Sequence, residues 1–339
     1  MAGHPRPASI KDVAARAGVS PGLVSRLLNN DAKLTVREET RQAVLEAVRE
    51  LDFVPNSTAT ALRKSRTDTI GLVLKNVASP MVSEIVLGAQ QVSSESGCVL
   101  VLMNAHEAEA GSPSFWQLIK AHRVDGLLLQ GGYGPGDQLL SEYAGYIPSV
   151  IVNSAGTGQA SGVRLQDDVA AQIATEHLLE LGHREIVFIA GEPSAASDIR
   201  AQGFRSALAA AGEPCDDSSI VPAGWEASEG FDAASRVFAS GRRPTAFAVA
   251  NPSAAIGVFA AVQRAGLRIP DDVSVIAVND MSIAPYLGPA LSTVRLPLFE
   301  LGKKSAAQLL AHMATGKPPD LVIKEPAPQL VLRGSTRRR

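Results

Sequence analysis

Apolar side chains recur at three- and four-residue steps along Ser9 to Asn29, SIKDVAARAGVSPGLVSRLLN, which predicts two short helices joined by a tight bend. Ile10, Val13, Ala14 and Ala17 form one apolar face, with Lys11 and Arg16 off it. Ser9 is placed to cap the first helix and Asp12 to close a capping box, while Gly18 offers the left-handed conformation that stops it. Val19 can fill the angle between the helices. Ser20 caps the second helix, and Pro21 takes its first position, where a missing N–H costs nothing. Val24, Leu27 and Leu28 then face inward, leaving Gly22, Ser25, Arg26 and Asn29 outside. A further pair, Thr35 with Glu38, predicts a capping box opening a third helix. Its Val36, Val44, Leu45, Val48 and Leu51 complete a three-helix core that Phe53 can close.

From Thr69 onward the rhythm changes. The apolar runs IGLVLKN, VLVLMN, DGLLLQG and PSVIVN alternate with helical stretches, and a second series, IVFIAG, TAFAVAN and VSVIAVND, follows a helix over Asp168 to Leu181. Strands that are apolar throughout and separated by helices imply parallel sheets covered on both faces. Two such α/β lobes joined by crossings of the chain make a cleft, and clefts at strand C-terminal ends bind small ligands.

Charge divides the chain at the same place. Residues 1–66 carry 11 Lys+Arg against 7 Asp+Glu, and residues 67–339 carry 21 against 27, for an overall −2. The excess of positive charge therefore lies with the helical pair, whose shape suits the DNA major groove; a helical hairpin in an ordinary globular core has the same pattern. The 339 residues suffice for such a module and a larger core with its own interior. Cys98 and Cys215 are too few for a disulfide framework or a cysteine-based zinc site. No metal or cofactor is expected. The polar start MAGHPRPAS lacks a signal-peptide apolar stretch, and no run approaches the roughly 20 apolar residues that span a bilayer, so cytoplasmic residence without a membrane partner is expected.

Catalytic motifs are sparse. His177 and His183 stand six apart in TEHLLELGHRE, without the HExxH spacing, and there is no GxGxxG, Walker loop or GxSxG elbow. An enzyme is therefore not expected. Between the helical module and the lobes, Asn56 can cap a short helix containing Ala59, Ala61 and Leu62 ahead of Arg63, Lys64 and Arg66; a flexible linker is the other reading.

The segments IKDVAARAGVS, VSRLLN, TVREETRQAVLEAVRELDFVPN and LVLRGST are similar to the markers of the lactose-repressor/galactose-repressor (LacI/GalR) family of bacterial transcriptional regulators, in that family's order and spacing over nearly the whole chain. The resemblance implies an all-α helix-turn-helix headpiece over residues 1–55, a hinge over 56–67 and an effector-binding and dimerisation core over 68–339. The core would be periplasmic-binding-protein-like, α/β, with two doubly wound parallel-sheet lobes, the first over about 68–167 and 297–325 and the second over about 168–296 and 326–339. The partners it implies are double-stranded operator DNA, a small-molecule effector coupled allosterically to DNA binding, and a second copy in a homodimer. A solute-binding protein without a regulatory role is the alternative that the core alone would allow.

The resemblance also nominates residues. On the DNA side they are Ser20, Pro21, Gly22, Ser25, Arg26, Asn29, Asn56, Leu62 and Arg63, with Leu62 at the position of a leucine that wedges into the minor groove. In the cleft they are Lys75, Asn76, Ser79, Met81, Asn153, Arg200, Trp225, Asn251 and Asn279. Arg200 falls where the family points an arginine into the pocket, a surface ion pair being the other reading; Trp225 falls at an aromatic wall, core packing being the other. Asn76, Asn153 and Asn279 stand where the family commonly has Asp, and Lys75 where it commonly has Pro. The expectation is a less acidic pocket and an effector that is polar and anionic, held by Arg200 and Lys75. Pro21 and Gly22 stand where base-reading side chains are usual, leaving direct readout to Arg26 and Ser25 with the Leu62 wedge.

Overall fold

The computed structural model describes residues 8–28, 31, 34–53, 66–105, 112–131 and 142–339, and divides the chain into two compact units, Met1–Thr67 and Asp68–Arg339. In the first unit, α1 (Ile10–Ala17), α2 (Pro21–Leu28) and α3 (Glu38–Glu50) close around Val13, Ala14, Val24, Leu27, Val44, Ala47 and Phe53. The local chemistry sets the helix ends. Ser9 N donates to Asp12 Oδ2 at 2.7 Å, Asp12 N returns to Ser9 Oγ at 3.4 Å, and Gly18 turns left-handed at φ 67. Leu23 N donates to Ser20 Oγ at 3.3 Å, which caps α2. The third helix departs from expectation: it starts at Glu38, after an extended Arg37, and Thr35 does not cap it. Glu38 is thus the first helical residue and not the third, as a cap at Thr35 would require, and its carboxylate turns forward to accept from Gln42 Nε2 at 2.9 Å with Arg41 Nε at 3.8 Å.

The second unit holds two six-stranded sheets. The first comprises β1 (Thr69–Leu74), β2 (Val99–Asn104), β3 (Gly126–Gln130), β4 (Ser149–Val152), β5 (Ser161–Arg164) and β11 (Leu321–Val322), in spatial order β11-β5-β4-β3-β1-β2. The second comprises β6 (Ile186–Ala190), β7 (Ile220–Pro222), β8 (Ala246–Val249), β9 (Ser274–Val278), β10 (Ser292–Arg295) and β12 (Gln329–Val331), in order β12-β10-β9-β8-β6-β7. All neighbours run parallel except β12, which lies antiparallel on β10, so the second sheet is mixed at one edge. Alternation along a buried strand serves both faces. On β6, Ile186, Phe188 and Ala190 join a cluster shared by both lobes, while Val187 and Ile189 face the outer core of the second lobe. The run VLVLMN forms β2 but is an edge strand, with Val99, Val101 and Leu102 exposed despite their apolarity.

The helices of the core are α4 (Val82–Glu95), α5 (Pro113–Lys120), α6 (Asp167–Glu180), α7 (Ala195–Ala210), α8 (Ala227–Ala239), α9 (Pro252–Arg264) and α10 (Leu298–Thr315). The chain passes between sheets three times, from β5 to α6, from β10 to α10 and from β11 to β12. Close contacts stiffen each lobe. A Cβ on Gly88 of α4 would overlap the carbonyl oxygen of Phe299, and one on Gly302 of α10 would overlap that of Ile85. Gly230 of α8 and Gly257 of α9 bear the same relation to the backbones of Ala254 and Ala227.

The closing residues strap the second lobe. Val275 N donates to Ser335 O at 2.8 Å, Ser335 Oγ donates to Val275 O at 2.6 Å, and Arg339 N donates to Leu181 O at 2.9 Å. Two histidines complete the strap: His183 reaches Thr245 Oγ1 and Ser274 Oγ at 3.0 Å and Arg337 O at 3.1 Å, and His177 reaches Thr336 Oγ1 at 3.1 Å. Burial holds both imidazoles below the usual histidine range; for His183 the Arg337 carbonyl opposes this, while Arg339 and His177 add to it.

This packing can be probed at two points. Gly302→Ala must push α10 off α4 and should cost about 1–3 kcal/mol, read by urea denaturation. A histidine kept neutral when folded is protonated more readily in the unfolded chain. Stability is therefore held above about pH 6.5 and lost as the pH falls below it, and the urea midpoint should drop between about pH 6.5 and 5, less steeply in His183→Gln.

Candidate functional site

The C-terminal ends of the strands of both lobes converge on one cavity of about 290 Å³. Lys75 and Asn76 follow β1, Gln130 ends β3 and Asn153 follows β4; Glu192 follows β6, Asn251 follows β8 and Asn279 follows β9. Ser79 and Met81 before α4, Arg200 on α7, and Trp225, Glu226 and Glu229 at the start of α8 complete the polar and aromatic lining, with Val82, Ile85 and Leu298 as apolar wall. All nine cleft residues nominated from the sequence thus line one space. Gln130 and the three glutamates were not nominated. One signal for Glu192 lay in the internal repeat, since it stands two residues beyond β6 as Asn76 stands two beyond β1.

The repeat is also visible in the backbone. Asn153 and Asn279 each follow the fourth strand of their lobe in left-handed conformation, φ 59 and 72, and their amides donate to Val163 O at 2.7 Å and Val294 O at 2.8 Å. Asparagine is among the few side-chain-bearing residues that adopt this conformation readily. Asn153 Oδ1 accepts from Leu165 N at 3.3 Å, whereas Asn279 Oδ1 is buried without a hydrogen-bond partner among the described residues.

Arg200 is neither a surface residue nor a freely available anion clamp. Its side chain is 5 % exposed; Nε and Nη2 donate to Asp167 Oδ1 at 2.8 and 2.6 Å, and Nη1 donates to Ala250 O at 2.6 Å. The guanidinium lies 5.3 Å from the centre of the Trp225 ring. That indole lies so close to Gly191 that a Cβ there would overlap it. Asn251 is likewise engaged: Oδ1 caps α9 through Ala254 N at 2.7 Å, and Nδ2 donates to Trp225 O at 2.8 Å. Asn76 joins the lobes, donating from Nδ2 to Glu226 Oε1 at 3.0 Å while Oδ1 accepts from Ala78 N at 2.9 Å. Lys75 N donates to Gln130 Oε1 at 3.0 Å.

The charge balance of the cavity goes beyond the three asparagines that stand where aspartate is common: Glu192, Glu226 and Glu229 also line it, and Asp167 neutralises Arg200.

In the first unit Ser20, Pro21, Gly22 and Arg26 are exposed and Ser25 is half-buried on the outer face of α2. Arg26 Nε pairs with Asp31 Oδ2 at 2.8 Å, which holds its guanidinium near the end of the helix. Asn29, Asn56, Leu62 and Arg63 lie outside the described residues.

Residues 9–56 match the model for bacterial regulatory proteins of the lacI family, and residues 175–336 match a periplasmic binding protein-like domain. The chain is also 31% identical over 335 residues to the HTH-type transcriptional repressor PurR of Photobacterium profundum, covering 97% of this chain and 99% of the relative. The chain belongs to the lacI family. Another relative, the ribose operon repressor of Escherichia coli (strain K12), is 32% identical over 97% of this chain and 99% of its own length. Among solved structures, the lac repressor dimer bound to operator and an anti-inducer superposes with a TM-score of 0.83 at 25% identity, covering 98% of this chain and 100% of that one. This lacI-family chain is a transcriptional regulator rather than an enzyme. Among the described residues no helix is long and apolar enough to cross a membrane, and no cluster of three or more His, Cys, Asp or Glu is arranged to hold a metal.

Asp167→Ala would leave the Arg200 charge buried and alone, and should cost about 3–5 kcal/mol in urea denaturation. The double change Asp167→Leu with Arg200→Met should recover most of that loss, because an apolar pair does not carry the desolvation cost of a lone charge.

Proposed function

We propose that this regulator is a cytoplasmic homodimeric repressor. The outer face of its α2 reads operator DNA, and a small polar metabolite in the cleft between the two core lobes controls its operator affinity. One observation carries the reading: a helix-turn-helix unit and a two-lobed cleft are joined in one chain that matches lacI-family repressors end to end. Ser20, Pro21, Gly22, Ser25 and Arg26 are the described residues assigned to DNA, with Asn29, Asn56, Leu62 and Arg63 assigned on resemblance. Lys75, Asn76, Ser79, Met81, Asn153, Arg200, Trp225, Asn251 and Asn279 are assigned to the effector.

The coupling runs through the cleft. The ligand touches strand ends of both lobes, so its binding energy differs between open and closed arrangements, and that difference is what an allosteric site transmits. The Asn76–Glu226 hydrogen bond is one link between the lobes that such a change would make or break. Exposed Val99, Val101 and Leu102 on β2, with Leu87 on α4, provide an apolar face on the first lobe for the second copy. A dimer presents two α2 helices to successive major grooves, so its operator is a palindrome with half-sites about 34 Å apart or closely related in spacing.

Selection of bound fragments from genomic DNA tests this reading, with recovery of one palindromic motif expected and unselective retention contradicting it. Arg26→Ala should relax preference at one base position per half-site, a loss of about 1–3 kcal/mol of discrimination there, and leave the rest of the recovered motif in place.

A further inference from the structure

We infer that the effector carries an amine or comparable cationic, hydrogen-bond-donating group. This narrows the polar metabolite above and rests on the cleft being the effector site. The first observation is Asn279. The residue is 4 % exposed, stands at the C-terminal end of β9 and lines the cavity, and its Oδ1 has no hydrogen-bond partner among the described residues. A buried carbonyl oxygen is satisfied by an N–H or O–H of the ligand and not by a carboxylate or phosphate oxygen.

The second observation is independent of the first and concerns charge. Glu192, Glu226 and Glu229 border the cavity. Of the two cations that also line it, Arg200 is neutralised at 2.6 Å by Asp167 and gives a further donor to Ala250 O, which leaves one lysine, Lys75, against three carboxylates in the lining. Glu226 accepts from Asn76 of the opposite lobe, and Glu229 accepts from Glu226 N at 2.9 Å. Each carboxylate has lone pairs for another donor beyond these. The lining therefore carries more negative than positive charge, which attracts a cation and opposes an anion. A ligand ammonium or amine offers both the donor that the Asn279 oxygen lacks and the positive charge that the glutamates favour.

The test uses the full-length protein and two matched sets of probes that differ in charge on one ring: glucosamine, glucose and glucuronate, and galactosamine, galactose and galacturonate. Isothermal calorimetry should show, in at least one set, the amine binding about tenfold more tightly than the neutral sugar and the acid binding weakest. Glu192→Gln should reduce the amine to near the neutral sugar, and Asn279→Asp should strengthen the amine and weaken the acid. The inference is overturned if the neutral sugar or the acid equals the amine in both sets, if none of the six binds, or if Glu192→Gln leaves the preference intact. Fragment selection on the same preparation separates the two readings. A palindromic motif recovered without any amine preference removes the ligand class alone, whereas loss of DNA selectivity removes the regulatory reading itself.

Discussion

A buried guanidinium has to be neutralised where it stands, and much of the cleft is arranged around that requirement at Arg200. Asp167, its counter-charge, is the first residue of α6, where the chain has just left the first sheet for the second lobe. The third donor of Arg200 fixes the carbonyl of Ala250 at the end of β8, and its flat face lies over Trp225. One side chain therefore ties a crossing point, a strand end and an aromatic wall together. Removing either charge leaves the other stranded in a medium that solvates it poorly, which makes the pair a stringent constraint even where its net contribution to stability is modest.

The lobes framing the cleft are stiff for a different reason. Where α4 meets α10, and α8 meets α9, glycines let backbones approach to a distance that no side chain allows. Helices seated this way have little room to slide. Between the lobes the chain makes three crossings, Asn76 donates to Glu226, and one buried apolar cluster draws residues from both sides.

Much of this was legible in the sequence where the signal was local or repetitive. The Ser9–Asp12 box, the left-handed Gly18 and the Ser20–Pro21 start of α2 are short-range chemistry, and the apolar runs of β1, β3, β6 and β9 are legible because both faces of those strands are buried. Failures came where distant groups compete. Glu38 had Gln42 and Arg41 as alternatives to Thr35, and only the folded helix shows which it takes. The three asparagines were visible as substitutions, whereas Glu192, Glu226 and Glu229 reach the same space from strand and helix ends that periodicity does not bring together. Arg200 lines the cavity, but its partner lies 33 residues away in sequence, and nothing local assigns Asp167 to it.

Gly22 carries a consequence for how such a regulator changes its target. A Cβ built there meets no atom within 4 Å, and the residue stands in the first turn of α2, so the fold leaves room for a side chain to begin there. In the docking proposed for α2, a side chain added at this point would touch base edges before it touched its own fold. On that docking, folding and operator choice are separated at one codon: a side chain added at Gly22 leaves the headpiece core of Val13, Val24, Leu27 and Val44 as it is.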